Sequence, residues 1–197
     1  MRRLFIYSLL VLCVVSCWYI NPDRYRCTYN SPENKRFRFE QRLKSAEIRT
    51  YMDKNYNIEV SYPAFFAVCD TSEDGTARFY YPNENIRNIS LIMFVEPNIE
   101  GWTIHEAIGH LADSLNICKE EGTDYYIMEG RVSNDVRAQF YEKCYLLNGM
   151  WVNYTLYYAI EYKSAIGRLF DIVKEWSPRP SKGYANNKKI KLICKKQ

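Results

Sequence analysis

The stretch RAQFYEKCYLLNGMWVNYTLYYAI, residues Arg137 to Ile160, decides the fold. Asn148-Gly149 stands between two runs of largely alternating apolar and polar residues, and Asn-Gly in that setting is the strongest short signal of a two-residue hairpin turn. We therefore predict two antiparallel strands, at residues 137–146 and 150–160. The second strand is predicted to turn one set of side chains towards the core: Val152, Tyr154, Leu156, Tyr158 and Ile160.

The opposite face of the second strand carries an aromatic and polar strip, Trp151, Asn153, Thr155 and Tyr157. If this strip were exposed, it could stack on sugar rings or dock a protein partner. The alternative is that it lies under a helix, because a sheet with helices on both faces exposes neither face. We favour the second interpretation and keep the four residues as candidates for ligand or partner binding.

The rest of the pattern is strands with helices inserted between them and at the end. Thr103 and Glu106 match a capping box at the start of a helix over 103–116, whose apolar stripe is Ile104, Ala107, Ile108, Leu111, Ala112 and Leu115. Further strands are predicted at 56–62, 77–81, 89–95 and 125–130, a short helix at 35–47, and a closing helix at 163–176. The closing helix is predicted to turn inward Ile166, Leu169, Phe170, Val173 and Trp176. The predicted fold class is α+β, an antiparallel β-sheet flanked by helices.

The order of these elements resembles the PsbP-like family, including its bacterial lipoprotein members. The resemblance rests on Tyr62-Pro63 at the end of one strand, Pro82 after the next, the apolar strand 89–95, the turn 100–103 and the pair Arg168-Leu169. It covers roughly residues 47–178 and implies an α/β/α sandwich. It also implies a role in binding and stabilising larger assemblies rather than catalysis. No functional residue of the family can be carried onto a matching position here, and nothing in the sequence indicates photosynthesis.

The N-terminus predicts a location. Arg2 and Arg3 precede the apolar run Leu4–Val15, and Ser16-Cys17 closes it, as in a secretory signal peptide. The cysteine after a small residue resembles the lipobox of bacterial lipoproteins, so we predict lipid attachment, palmitate included, at Cys17 and a place in the bacterial cell envelope, on the periplasmic or the surface face. Two alternatives remain, an uncleaved membrane anchor over Leu4–Ile20 and a plain cleaved signal.

Four segments follow: a signal peptide at 1–16, a tether with the short helix at 17–46, one PsbP-like domain at 47–178 and a basic tail at 179–197. Hydrophobic content of 47% and aromatic content of 16% exclude a disordered chain. Residues 17–178 hold 18 basic and 23 acidic residues, a net charge of −5, whereas the tail holds seven basic residues and no acidic one. This distribution argues against nucleic acid as a partner. The tail could contact anionic lipid or polysaccharide, or simply be solvated.

No catalytic, cofactor or metal site is predicted. His105 and His110 are the only histidines and lie five residues apart, whereas the zinc motif of metalloproteases needs a spacing of four to place both on one helix face. Five cysteines remain after Cys13 and Cys17. Cys27 and Cys194 could form a disulfide that joins the termini, or the thiols could be free and buried.

The expected function is therefore a binding or scaffolding role of a membrane-tethered lipoprotein, without enzymatic activity. Its partner would be an envelope protein or a glycan. Two alternatives are kept, an envelope hydrolase whose active site is not recognisable and an immunity or inhibitor lipoprotein that blocks a partner.

Overall fold

The computed structural model describes residues 31–71, 75–83, 89–113, 115–132 and 135–178. The predicted signal peptide, the lipid site Cys17, the cysteines Cys27 and Cys194, and the basic tail lie outside these residues. The chain divides into two compact units, Met1–Ser45 and Ala46–Gln197. The second unit begins one residue before the domain start predicted from the sequence.

Helix α1 (Pro32–Lys44) belongs to the first unit. Pro32 occupies the first helical position, where its missing N–H costs nothing, and the Ser31 hydroxyl accepts a hydrogen bond from the Asn34 N–H at 3.3 Å. The helix therefore starts three residues before the predicted residue 35. It ends at Lys44, after which the Ser45 hydroxyl donates to the carbonyl of Gln41 at 3.1 Å.

The strands of the second unit are β1 (Ile48–Asp53), β2 (Ile58–Pro63), β3 (Ala67–Thr71), β4 (Thr76–Tyr80), β5 (Ser90–Pro97), β6 (Ile117–Glu121), β7 (Tyr125–Val132), β8 (Asp135–Leu147) and β9 (Met150–Ala159). Seven of them form an antiparallel sheet in the order β3-β4-β5-β9-β8-β7-β6. The other two, β1 and β2, form a separate antiparallel pair. The helices of this unit are α2 (Ile104–Leu111), a 3-10 helix (Ile160–Ala165) and α3 (Gly167–Glu175). The predicted fold class is confirmed.

The β8-β9 hairpin forms at the predicted turn. Leu147 pairs with Met150, and the two turn residues have positive φ, 52° at Asn148 and 76° at Gly149. A type I′ turn requires this at both positions, and its twist matches that of the flanking strands. The turn fixes the register, and the register decides which side chains share a face.

The two faces of the sheet carry different elements. The Tyr154 phenol donates to the carbonyl of Ser61 on β2 at 2.6 Å, and the Trp176 indole after α3 donates to the carbonyl of Glu59 at 2.8 Å. The face of Tyr154 therefore meets both α3 and the β1-β2 pair. On the other face Trp151 packs in one cluster with Ile104 and Ala107 of α2. Helices thus lie on opposite faces of the sheet, which we call the α3 face and the α2 face.

Helix α2 is shorter than predicted. It begins with the predicted capping box, in which the Glu106 N–H donates to Thr103 Oγ1 and the Thr103 N–H donates to Glu106 Oε2. It ends at Leu111, whereas the predicted helix ran to residue 116. The carboxylate of Asp113 accepts from the N–H groups of Leu115 and Asn116 at 2.6 and 2.7 Å. This local turn takes the amides that a further helical turn would need.

The closing helix also differs from the prediction. The segment over 163–176 is divided between the 3-10 helix and α3, with a break at Ile166. The prediction of which residues face inward is confirmed. Ile166, Leu169, Val173 and Trp176 are buried, and Phe170 is half-buried. Ile160 was expected in the core but is exposed, since β9 ends at Ala159 and the chain leaves the sheet there.

Three strands were not predicted: β1, β3 and β6. None of them shows the clean alternation of apolar and polar residues that signals a half-buried strand. β6 is an edge strand of the sequence Ile-Cys-Lys-Glu-Glu with a register shift between Cys118 and Glu120. Charged residues and bulges are common on edge strands because they discourage pairing with other chains.

Candidate functional site

The α2 face of the sheet contains a group of polar side chains among apolar ones. We call it the polar cluster: Tyr126 on β7, Glu142 on β8, and Asn153 and Thr155 on β9. In the register, Glu142 pairs with Thr155, and Cys144 pairs with both Asn153 and Tyr126. Alternation along each strand therefore places all four side chains on one face, next to the apolar residues that pack against α2.

Both carboxylate oxygens of Glu142 accept hydrogen bonds from hydroxyl groups. The Thr155 hydroxyl donates to Oε2 at 2.7 Å, and the Tyr126 phenol donates to Oε1 at 3.3 Å. Glu142 as a whole residue is half-buried, but Thr155 is 0% exposed and Tyr126 is buried. A carboxylate in hydrogen-bond contact with two buried hydroxyls lies in the interior rather than in solvent.

Burial raises the pKa of the Glu142 carboxyl. The hydrogen bonds from Thr155 and Tyr126 act against this shift, and the nearby Glu96 carboxylate adds to it. Burial is the largest effect because it removes the hydration on which an anion depends. It also raises the pKa values of the Tyr126 phenol and of the Cys144 thiol beside it. The environment thus favours the neutral forms of Glu142, Tyr126 and Cys144.

Asn153 adds an unused hydrogen-bond donor to the cluster. Its side chain is buried, and its Nδ2 atom has no hydrogen-bond partner among the residues that the structure describes. A buried amide without a partner is costly, and such groups in native proteins call for an explanation. Chemically, the polar cluster can hold a proton on Glu142 and offers one more donor beside it.

A second polar feature lies on the α3 face. Lys143 is buried, and its Nζ donates to the carbonyl of Lys174 in the last turn of α3 at 2.8 Å. The same ammonium lies over the rings of Tyr125 and Tyr145, 4.7 and 5.2 Å from their centroids. Burial lowers the pKa of Lys143, and the carboxylates of Glu120 and Asp124 act against that shift. Lys143 therefore caps the C-terminal end of α3 from inside the sheet.

The candidate strip Trp151, Asn153, Thr155 and Tyr157 lies on the α2 face of the sheet. Trp151, Asn153 and Thr155 are buried and Tyr157 is half-buried. Trp151 packs with residues of α2, as expected for a face that lies under a helix. Exposure was the condition for stacking on sugar rings, and the strip does not meet it. Its two polar members belong instead to the polar cluster.

The two histidines do not come together. His105 Nδ1 lies 3.2 Å from Glu121 Oε1 on β6, whereas the His110 ring stacks on Trp102 with centroids 4.4 Å apart. Within the described ranges, no group of three His, Cys, Asp or Glu side chains is placed to hold a metal ion. Cys69, Cys118 and Cys144 are free thiols. No helix in the described part of the chain has the length and apolar composition needed to cross a bilayer.

The sequence reasoning missed Glu142 and Tyr126. The signal was present on β8, where Ala138, Phe140, Cys144 and Leu146 alternate on one face and Glu142 is the single charged residue among them. A glutamate in the middle of an apolar alternation marks either a bulge or a buried carboxyl. The partner Thr155 could be assigned only from the hairpin register.

Comparison with known proteins gives one kind of match. No family model matches the sequence, and no curated protein matches it. Among solved structures, the chain is similar to the solution structure of cyanobacterial PsbP (CyanoP) from Synechocystis sp. PCC 6803. The TM-score is 0.45 and the identity 17%, over 66% of this chain and 91% of the other. The strand order and register given above describe the fold independently of this likeness.

Proposed function

We propose that this protein is a lipoprotein of a bacterial cell envelope whose α+β domain binds or scaffolds a partner molecule. The observation that carries the proposal is the apolar run Leu4–Val15, with Arg2 and Arg3 before it and Ser16-Cys17 after it. Removal of residues 1–16 would leave Cys17 as the N-terminus. Lipid on its thiol and amine would then attach the protein to the membrane, because two or more acyl chains give stable anchoring.

The tether keeps the domain close to the membrane. Fourteen residues, 18–31, separate Cys17 from the start of α1. At roughly 3.3–3.6 Å per extended residue they would reach at most about 50 Å. A domain attached to the membrane through Cys17 meets membrane and envelope components repeatedly, so a weak interaction is sufficient for a scaffolding role.

Exposed aliphatic side chains support a binding role. Leu111, Leu115 and Ile117 are 43%, 47% and 55% exposed and lie within seven residues of each other, at the junction of α2 and β6. Exposed apolar groups that are clustered mark interaction surfaces more often than those that are scattered. We propose an envelope protein with a complementary apolar surface as the partner.

Lipidation is tested by labelling cells with radiolabelled palmitate. The wild-type chain is expected to take up label and the Cys17→Ala variant to lose it. Cys13→Ala is the matched control, because Cys13 lies in the same leader but before the cleavage site. Equal labelling of the wild type and the Cys17→Ala variant would overturn the lipoprotein assignment.

Partner binding is tested by crosslinking in membranes followed by mass spectrometry. The variant Leu111→Ser/Ile117→Ser is expected to lose the crosslinked partner that the wild type captures. Ile160→Ser is the matched control, since Ile160 is about as exposed as Leu111, at 44% against 43%, and begins the 3-10 helix that follows β9. Equal capture by all three chains would exclude this surface, and a partner enzyme that is inhibited on capture would favour the inhibitor alternative.

A further inference from the structure

Glu142 occupies an unusual position for a carboxylate. It lies in the middle of β8, in the interior of the seven-stranded sheet, with β7 on one side and β9 on the other. Its hydrogen bonds come from two neutral hydroxyls, those of Thr155 and Tyr126. It forms no salt bridge with a residue of the described ranges. A carboxylate in the interior without a cation is strongly disfavoured relative to the neutral acid.

The ionisable groups around Glu142 do not supply positive charge. β7 contributes Tyr126, β8 contributes Cys144, β9 contributes Tyr157 and β5 contributes Glu96. Helix α2 turns Ile104 and Ala107 towards this face. The titratable side chains of α2, His105, Glu106 and His110, are exposed. Of these groups, only the Glu96 carboxylate acts on the pKa of Glu142 through its charge, which raises it, and none of them is an ammonium or a guanidinium.

Glu129 on the neighbouring strand shows the opposite arrangement. Its carboxylate lies 3.2 Å from Lys119 Nζ and also contacts Lys163 Nζ. It lies on the α3 face, where the Tyr158 phenol donates to it at 3.2 Å. The domain therefore contains one glutamate arranged for the charged form and one arranged for the neutral form. The two glutamates differ because lysines surround Glu129, whereas neutral hydroxyls contact Glu142.

We propose that Glu142 is a pH-sensitive switch: the protonated side chain holds the α2 face of the sheet closed, and its ionisation loosens the packing of α2. Residues beside Glu142 on this face connect it to α2. Met128 pairs with Glu142, and Cys144 lies two residues further along β8. Both belong to the apolar cluster that packs against Ile104 and Ala107 of α2. An anion at Glu142 draws water into this cluster, and α2 is the element whose contacts that water would replace.

The direction of the pH dependence follows from linkage. A carboxyl whose pKa is higher in the folded state than in the unfolded state binds its proton more tightly when folded. Its stabilising contribution is complete below the unfolded value of about 4.3 and is lost as the pH rises towards the folded value. In that window the folding equilibrium constant falls by up to about tenfold for each pH unit. The switch is thus closed at low pH and is released as the pH rises through the folded-state pKa of Glu142.

The experiment measures the unfolding equilibrium of the full chain in urea from pH 4 to pH 8. The wild type is expected to lose stability over part of this range, and the Glu142→Gln variant is expected to lack that component. Gln keeps the shape and acceptor oxygen of the neutral acid but cannot ionise. Glu175→Gln on α3 is the matched control, because Glu175 is exposed, and it should keep the wild-type profile. Identical profiles for the wild type and Glu142→Gln would overturn the proposal.

A second measurement does not depend on any variant. Carbon-detected NMR of the wild-type chain follows the Glu142 carboxyl, which is expected to titrate above the ordinary range. Hydrogen-exchange protection factors locate the opening. The amide of Ala107 in α2 and that of Ala112, which donates to the carbonyl of Ile108 at the end of α2, should lose protection as the pH rises, whereas the α3 amide of Phe170 should not. Titration of Glu142 at its ordinary value, or equal loss of protection in α2 and α3, would contradict the switch.

Discussion

The phenol of Tyr154 donates a hydrogen bond to the carbonyl oxygen of Ser61 across 2.6 Å and so joins the central strand of the seven-stranded sheet to the β1-β2 pair. Tyr154 is fully buried, and its ring also lies near that of Trp176, with centroids 5.4 Å apart. One residue therefore connects three elements on the α3 face.

Removal of this hydroxyl tests that connection. Tyr154→Phe leaves the Ser61 carbonyl without its donor, and an interior group that loses its partner costs about 1–3 kcal/mol. The free energy of unfolding in urea should fall by that amount. Tyr157→Phe is the control, since Tyr157 is half-buried on the opposite face, and its effect should be less than half as large. Equal losses for the two variants would show that the Tyr154–Ser61 hydrogen bond makes no particular contribution to the free energy of unfolding.

Lys143 should stabilise α3 through its hydrogen bond to the carbonyl of Lys174. Lys143→Met keeps the aliphatic length but removes the ammonium that caps the helix and contacts two tyrosine rings. We expect a loss of about 1–3 kcal/mol in the free energy of unfolding. Lys174→Met is the control, because Lys174 contributes its backbone carbonyl and its side chain is exposed. A Lys143→Met variant as stable as the wild type would contradict the capping role.

The hairpin turn gives a prediction that isolates backbone strain. Gly149 has φ of 76°, and a β-carbon there would meet no atom within 4 Å. Gly149→Ala should therefore destabilise the domain by about 1 kcal/mol through the unfavourable φ alone. Gly109 in α2 is equally open but has no positive φ, so Gly109→Ala should stabilise the domain by about 0.5–1 kcal/mol. Thermal unfolding of both variants checks the opposite signs.

Glu129 should show a pH dependence opposite to that of Glu142. Burial raises the pKa of Glu129, but the contacts of Lys163 and Lys119 outweigh it and the net shift is downward. A lowered pKa contributes stability above the unfolded value of about 4.3, and this stability is lost as the pH falls. Glu129→Gln should thus be less stable than the wild type at pH 7 and equal to it in strong acid. Urea unfolding at both pH values checks this, and a difference that does not change with pH would contradict the ion-pair assignment.

The sequence predicted the parts of the fold that local chemistry determines. Asn148-Gly149 fixed the hairpin, and Thr103 with Glu106 fixed the start of α2, because a turn and a capping box need only neighbouring residues. The predicted end of α2 was wrong because the Asp113 carboxylate accepts hydrogen bonds from the amides of Leu115 and Asn116. Helical periodicity alone does not reveal that a side chain competes for these amides. Edge strand β6 was missed because its charged residues do not alternate with apolar ones.

The polar cluster depends on the register between strands, so only two of its four residues could be selected from the sequence. Asn153 and Thr155 were selected as part of a strip, because alternation on one strand is readable from the sequence. Their association with Glu142 and Tyr126 requires the pairing of three strands. That pairing also places the strip in the interior, as the favoured interpretation expected, and sets its polar residues beside a carboxyl whose pKa is raised by burial.

The central claim, attachment to a membrane through Cys17, is tested most directly by mass spectrometry of the N-terminal peptide of the native protein, recovered separately from the membrane and the soluble fractions of cells. The proposal predicts that the chain begins at Cys17 and carries the added mass of acyl chains on that residue. An unmodified peptide that begins at Met1, recovered from the soluble fraction, would contradict both the anchor and the envelope role.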